Sequence, residues 1–341
     1  MLIIGFDERG DMNYFFSEIA LMENIEIRKR LDLLEKKYSA MGQDLISYLD
    51  GLLYADFLTY WDYVHVDTLL SLQNPRTSFP DEEIFIIYHQ ITELYFKLCM
   101  NQFEQLGSAK PDLEFFITRV ARINSYFENL RRSFEIMIDG MEPEQFLKFR
   151  MSLLPASGFQ SAQYRMIEIC ATDFIRLVSK DKRSEFTAGS PIEKMFEFIY
   201  WKAGATELAT GNKTLTLKQF EEKYSTRLIK LAEEKRETNL WQVYKKLPKK
   251  DQEDIRAVNA LKFLDVNVNV NWPLSHYKSA VRYLQKDPED IKATGGTNWQ
   301  KYLPPRFQKR IFYPELWTGE EMENWGKAWV EREVFGMPVS L

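Results

Sequence analysis

This chain has only three histidines, and two of them sit where an imidazole needs a reason to be. His89 lies inside the apolar run Ile84-Phe85-Ile86-Ile87-Tyr88-His89-Gln90, which contains no turn signal. On a helix Phe85 and His89 are four residues apart and project from one face, so an aromatic wall stands beside a proton donor or acceptor. Half of a binding pocket has that form, although a lone histidine on an apolar face is also a common core residue. His276 closes the stretch Asn269-Val270-Asn271-Trp272-Pro273-Leu274-Ser275-His276. Pro273 suits the first turn of a helix that Asn271 would cap, which places His276 about one turn in and in line with the small Ala280. A flat macrocycle over a ligand histidine needs such a small neighbour; a structural histidine near a helix start is the plainer reading.

Two further groups can bind rather than react. Arg150 follows Phe146-Leu147-Lys148-Phe149, and its forked donors at an aromatic surface match a carboxylate, or else an internal ion pair. Small residues in Leu154-Pro155-Ala156-Ser157-Gly158-Phe159-Gln160-Ser161 would let a ligand approach the backbone. In Ala293-Thr294-Gly295-Gly296-Thr297 a hydroxyl precedes a glycine pair, which is a plain turn unless the loop closes over a ligand.

Missing motifs narrow the chemistry. Gly211-Asn212-Lys213-Thr214 lacks the first glycine and the Gly-Lys pair of a phosphate-binding loop, and there is no GxGxxG. CxxC is absent, and His89-Gln90-Ile91-Thr92-Glu93 is not HExxH, which argues against structural zinc and against a zinc protease. No pair of Glu-x-x-His units supports a di-iron bundle. With so few histidines, one metal ligand plus one substrate-contacting imidazole fits the count, and haem iron needs only one axial imidazole.

The elements that must hold these residues are helical. Ile27, Leu31, Leu34, Tyr38, Met41 and Leu45 alternate at spacings of four and three, the seam of a helix lying along a partner. Leu113, Phe116, Val120, Ile123, Phe127, Leu130, Phe134 and Met137 keep that rhythm up to Gly140, a residue suited to the left-handed position after a helix end. Strand-like alternation appears only in scraps such as Val266-Asn267-Val268-Asn269-Val270. The expected fold is therefore all-α, with N-terminal helices over 1–53 suited to oligomer contacts and a larger helical domain over 54–341. A Lys- and Glu-rich stretch at about 178–250 reads as a helical insertion. At 341 residues, 45% hydrophobic and 28% charged, the chain has the composition of a soluble globular protein. A net charge of −5 argues against a nucleic-acid partner. No apolar stretch approaches the roughly 20 residues of a membrane span, and the start is a poor signal peptide. Cys99 and Cys170 sit in apolar helical contexts as core thiols, so a cytoplasmic location is the default.

Taken together, Phe85-Ile86-Ile87-Tyr88-His89-Gln90 with Glu93-Leu94, the Phe146 to Arg150 step, Pro155 to Ser161 with Tyr164-Arg165, Trp272 with His276 and Arg282, and Thr294-Gly295-Gly296 resemble the tryptophan 2,3-dioxygenase family. Tyr60-Trp61-Asp62-Tyr63 fits its paired-tyrosine segment, and the resemblance spans roughly 54 to 300. It implies a haem b cofactor with His276 as proximal iron ligand and His89 as the distal histidine that bonds the indole N–H. It implies Phe85 packing on the indole, Arg150 gripping the substrate carboxylate beside Phe146, and Thr294 at the amino-acid end. Ser157, Tyr164 and Gly295 would lie on the haem side. Tyr60 and Tyr63 would reach a neighbouring subunit's pocket in a homotetramer. The implied reaction inserts both atoms of O2 across the indole C2–C3 bond of L-tryptophan to give N-formylkynurenine. Pro80 and Asn298-Trp299-Gln300-Lys301 depart from the family pattern. Two other functions stay open at this point, a haem-dependent hydroxylase of another aromatic amino acid and a non-catalytic helical assembly protein.

Overall fold

The computed structural model describes residues 25–55, 59–108, 112–153, 160–206, 212–284 and 309–327. They fall into two compact units that meet in sequence between Leu72 and Gln73. No strand occurs among the described residues, only two isolated bridges, so the fold is all-α as expected.

The first unit holds α1 (Ile25–Ala40), α2 (Leu45–Leu53), α3 (Tyr60–Val64) and α4 (Val66–Leu69). Gly42 at φ +66° turns the chain after α1, and the Asp44 carboxylate caps α2 by accepting from Ile46 N and Ser47 N. None of the described residues of this unit is buried. The seam that begins at Ile27 therefore remains open within the unit, with Ile27 54% and Met41 52% exposed.

The second unit is built on α5 (Asp81–Ser108), which packs along α6 (Leu113–Ser133) and α9 (Ala162–Ala171). Between α6 and α9 come α7 (Glu135–Asp139) and α8 (Pro143–Phe149). The expected stripe on α6 is the core face, since Phe116, Val120, Ile123, Phe127 and Leu130 are all buried. Each such side chain contributes about 1.5–3 kcal/mol by leaving water. Gly140 is not left-handed; its φ is −85°. It is needed because an added Cβ would lie 2.4 Å from the Ile136 carbonyl oxygen.

Next follow α10 (Ile192–Phe196), α11 (Tyr200–Gly204), α12 (Leu215–Glu234), α13 (Leu240–Lys245) and α14 (Lys249–Gln252). Phe196, Phe220, Leu228 and Trp241 join the same core as α5 and α6, which ties the Lys- and Glu-rich stretch into the main body.

The helix carrying His276 differs from its expected form. α15 (Ile255–Val266) passes without a break through a π-helical turn at Asn267–Asn271 into α16 (Trp272–Leu284). Asn271 is thus interior rather than a cap, and Pro273 does not open a helix. Proline lacks an N–H and crowds the carbonyl four residues back, a conflict that a widened turn relieves. The Trp272 N–H accordingly reaches Asn267 O, five residues back. Polar side chains line the widened stretch. Asn124 Nδ2 donates to Ala260 O, Asn267 Nδ2 to Asn124 Oδ1, and Asn271 Nδ2 to Asn267 Oδ1.

Two buried carboxylates then fasten the 309–327 segment, which ends in α17 (Gly319–Glu323). Asp265 of α15 accepts from Phe312 N, Tyr313 N, Trp317 Nε1 and Asn269 Nδ2. Glu168 of α9 pairs with Arg165 at 2.6 Å and with Arg310 at 2.5 Å, and it accepts the Tyr200 hydroxyl at 2.6 Å.

Candidate active site

Two helices carry one wall. Along α5, Asp81, Phe85 and His89 fall four residues apart and so share a face. Phe85 packs on His89 at 4.1 Å between ring centroids, on Phe146 at 6.3 Å and on Phe149 edge-on at 5.9 Å. Phe146 and Phe149 belong to α8, whose C-cap is the buried Arg150. The structure therefore brings together Phe85, His89 and Phe146, with Arg150 following Phe149 at the end of α8.

His89 Nδ1 lies 2.7 Å from Phe85 O. A carbonyl oxygen only accepts, so the proton sits on Nδ1 and the neutral ring presents Nε2 as an acceptor. Burial holds the imidazole below its ordinary pKa, against the Phe85 carbonyl and Glu93, which favour the cation.

His276 stands in an aromatic cage. Phe134 lies 5.4 Å away at 59°, and Trp272, one turn back on α16, is edge-on at 6.2 Å. Phe134 also touches Trp272 at 5.2 Å and Tyr88 at 5.4 Å. Behind them Phe96 reaches both Trp272 and Tyr164. Burial, and after it the charge of His89, pushes the His276 pKa down to about 4. The imidazole is thus neutral at physiological pH and keeps a lone pair, as a metal ligand must.

These two histidines fit the expected haem on one observation. Both are half-buried among aromatic rings, and they are close enough that the charge of His89 is felt at His276. The surroundings are apolar and aromatic, and His276 is the side chain of the right donor type to hold the iron.

The remaining expected residues are placed as follows. Tyr164 is buried, and its hydroxyl donates to Val268 O in the π-turn. Ser157, Thr294 and Gly295 lie outside the described residues. Tyr60 and Tyr63 are on α3 of the first unit, each 74% exposed. Phe134 and Asp81 are the two residues beside these groups that their sequence context does not mark as functional. Phe134 carried no distinguishing signal within its stripe, whereas the Asp81, Phe85, His89 spacing was visible.

The family model of tryptophan 2,3-dioxygenase matches residues 53–246. The tryptophan 2,3-dioxygenase of Bacillus thuringiensis subsp. konkukian (strain 97-27) is 28% identical over 276 residues, covering 76% of this chain and 91% of that protein. That of Ruegeria sp. (strain TM1040) is 38% identical over 118 residues, 34% of this chain and 42% of that protein. That of Bradyrhizobium diazoefficiens is 34% identical over 113 residues, 33% of this chain and 40% of that protein. With the matched region holding Phe85, His89, Phe146, Arg150 and Tyr164, this chain belongs to the tryptophan 2,3-dioxygenase family.

Proposed function

We propose that this protein is a haem-dependent dioxygenase that opens the indole ring of L-tryptophan at C2–C3, giving N-formylkynurenine. The observation that carries this reading is the His89 Nδ1 to Phe85 O bond, which leaves Nε2 as an acceptor beside an aromatic wall. An indole presents a flat apolar body and a single N–H donor, and that wall and acceptor match both.

In this reading Phe85 and Phe146 pack on the substrate's ring, and His89 Nε2 accepts the indole N–H and fixes its orientation. Arg150 grips the carboxylate with its forked donors. Holding the ring at both ends lowers the entropic barrier to reaction, and the aromatic lining excludes water. His276 holds the haem b iron, which supplies the binding and activation of O2. Ser157, Tyr164 and Gly295 are assigned to the haem side, and Thr294 to the amino-acid end of the substrate, as the resemblance implies.

The homotetramer is part of the same reading. Leu52, Leu53, Tyr54, Tyr60, Tyr63 and Leu70 of the first unit are each at least 70% exposed, apolar area that a second copy would cover. Tyr60 and Tyr63 would then contribute to a neighbour's pocket. No described helix is long and apolar enough to cross a membrane, and a cytoplasmic location belongs to the proposal.

The test is spectroscopic. Purified with ample haem, the protein should show a Soret band that responds to L-tryptophan, and its product should carry two added oxygen atoms. His276→Ala should lose haem, whereas His89→Ala should keep it and bind L-tryptophan more weakly. A product with one added oxygen would replace this reading with a hydroxylase, and a colourless protein would end both.

A further inference from the structure

The strongest unexplained feature near the site is a pair of side chains that cap each other's helices. Asp81 opens α5, and its Oδ2 accepts from the Glu142 N–H at 2.5 Å. Glu142 is the N-cap of α8, and its own side chain makes no capping bond. In return Gln145 Oε1 of α8 accepts from the Asp81 N–H at 3.3 Å, while Gln145 Nε2 donates to Glu142 Oε2 at 2.9 Å. A capping box normally closes within one helix; here each helix supplies the other's partner. Asp81 is buried, at 8% exposure, and its carboxylate sits at two helix N-termini, where partial positive charge favours it.

We propose that the Asp81–Gln145 clamp sets the register of α8 on α5, which makes Asp81 a positioning residue for the arginine that binds the substrate carboxylate. The inference rests on the role given to Arg150 above. Three layers follow one another along the two helices. The clamp joins Asp81 to Glu142 and Gln145, the aromatic layer joins Phe85 to Phe146 and Phe149, and beyond it stand His89 and Arg150. Ring packing is tolerant of sliding because dispersion has no preferred direction. Hydrogen bonds to a helix end are directional, so the clamp is the layer that defines position along the axis. A helix of seven residues has little stability by itself and goes where its docking contacts put it. A forked guanidinium meets a carboxylate only within a fraction of an ångström of its proper place.

The experiment compares two ligands on the haem-loaded, full-length protein by calorimetric titration. L-Tryptophan carries the carboxylate, and tryptamine lacks it. Asp81→Ala should weaken L-tryptophan binding by roughly 10- to 100-fold and leave tryptamine binding unchanged. Arg150→Ala should give the same selective loss, and the double variant should be no weaker than Arg150→Ala alone. Asp81→Asn keeps an oxygen acceptor for Glu142 N–H and should restore binding close to the native value. If Asp81→Ala fails to fold, Gln145→Ala removes only the return bond and should show the same selectivity at smaller amplitude. Equal losses for both ligands in the clamp variants, with Arg150→Ala still selective, would overturn the clamp while leaving the arginine's role intact. No selectivity in Arg150→Ala itself would overturn that role and the clamp with it.

Discussion

The ring of Phe134 stands 5.4 Å from the imidazole of His276 and 5.4 Å from the ring of Tyr88, the neighbour of His89 on α5. Phe134 thereby connects the helix that carries one histidine to the helix that carries the other. With Trp272 edge-on at 6.2 Å, it gives the imidazole two aromatic neighbours that bias its orientation. Replacing it by leucine keeps the apolar volume and removes the flat face, a contact worth about 0.5–1.5 kcal/mol beyond its area. Phe134→Leu should retain haem but broaden the iron–imidazole stretching band in the resonance Raman spectrum of the ferrous protein, reporting several ring orientations in place of one.

Acidification should act through the two imidazoles. His89 is held below its ordinary pKa of 6.5 by burial, so its neutral, accepting form persists as the pH drops through that value. Affinity for L-tryptophan should stay level from pH 8 to 6.5 and weaken only at lower pH, measured by titration. In His89→Ala that acid limb should vanish.

Stability of the haem-free protein should follow the same sign. His276 titrates near 4 in the folded state against 6.5 for an ordinary histidine, so below 6.5 the unfolded chain takes up a proton that the folded chain refuses. The stability is complete above pH 6.5 and declines as the pH falls toward 4. Asp265, which takes up a proton near pH 6 in the folded state, acts with the opposite sign, so the test is a difference: urea midpoints measured from pH 6.5 to 5 should fall more steeply in the parent protein than in His276→Leu.

Asp265 should prove a local fastener. Burial raises its pKa to about 6, opposed by hydrogen bonds from Phe312 N, Asn269, Tyr313 N and Trp317. Asp265→Ala would strand several buried donors at about 1–3 kcal/mol each, more than the protein can lose without local opening. Amide exchange at Phe312 and Tyr313 should accelerate before the rest of the second unit responds.

Loss of the Glu168 charge should lower global stability. It lies between Arg165 and Arg310, whose side chains are 8% and 9% exposed. Glu168→Gln leaves two buried guanidinium groups without their anion, and losses of about 3–5 kcal/mol are usual for breaking such a pair. Thermal or urea unfolding would register it.

How much was legible beforehand depends on whether a residue's role is local. The stripe from Phe116 to Leu130 and the Phe85–His89 pair obey helix periodicity, and both stand where the spacing puts them. Arg150 beside Phe146 is likewise a matter of one short helix. Asn271 and Pro273 misled because a proline after an asparagine is an ordinary helix start, and the buried partner Asn124, which bonds Asn267 across 143 residues of sequence, is not visible locally. The Asp81 clamp was hidden for the same reason, since its acceptor and donor lie 61 and 64 residues apart along the chain. Phe134 gave no warning because a core phenylalanine and one that steadies a histidine are the same letter.

The π-turn at Asn267–Asn271 has a geometric consequence for everything after it. Such a turn holds one residue more than an α-helical path of the same span, and each α-helical residue advances the azimuth by about 100°. Excising a single asparagine there would restore an ordinary helix and swing the downstream side chains through more than a quarter of a circle. The imidazole at position 276 would leave its aromatic cage and point somewhere else on the cylinder. One surplus residue is therefore the phase correction that aims the helix.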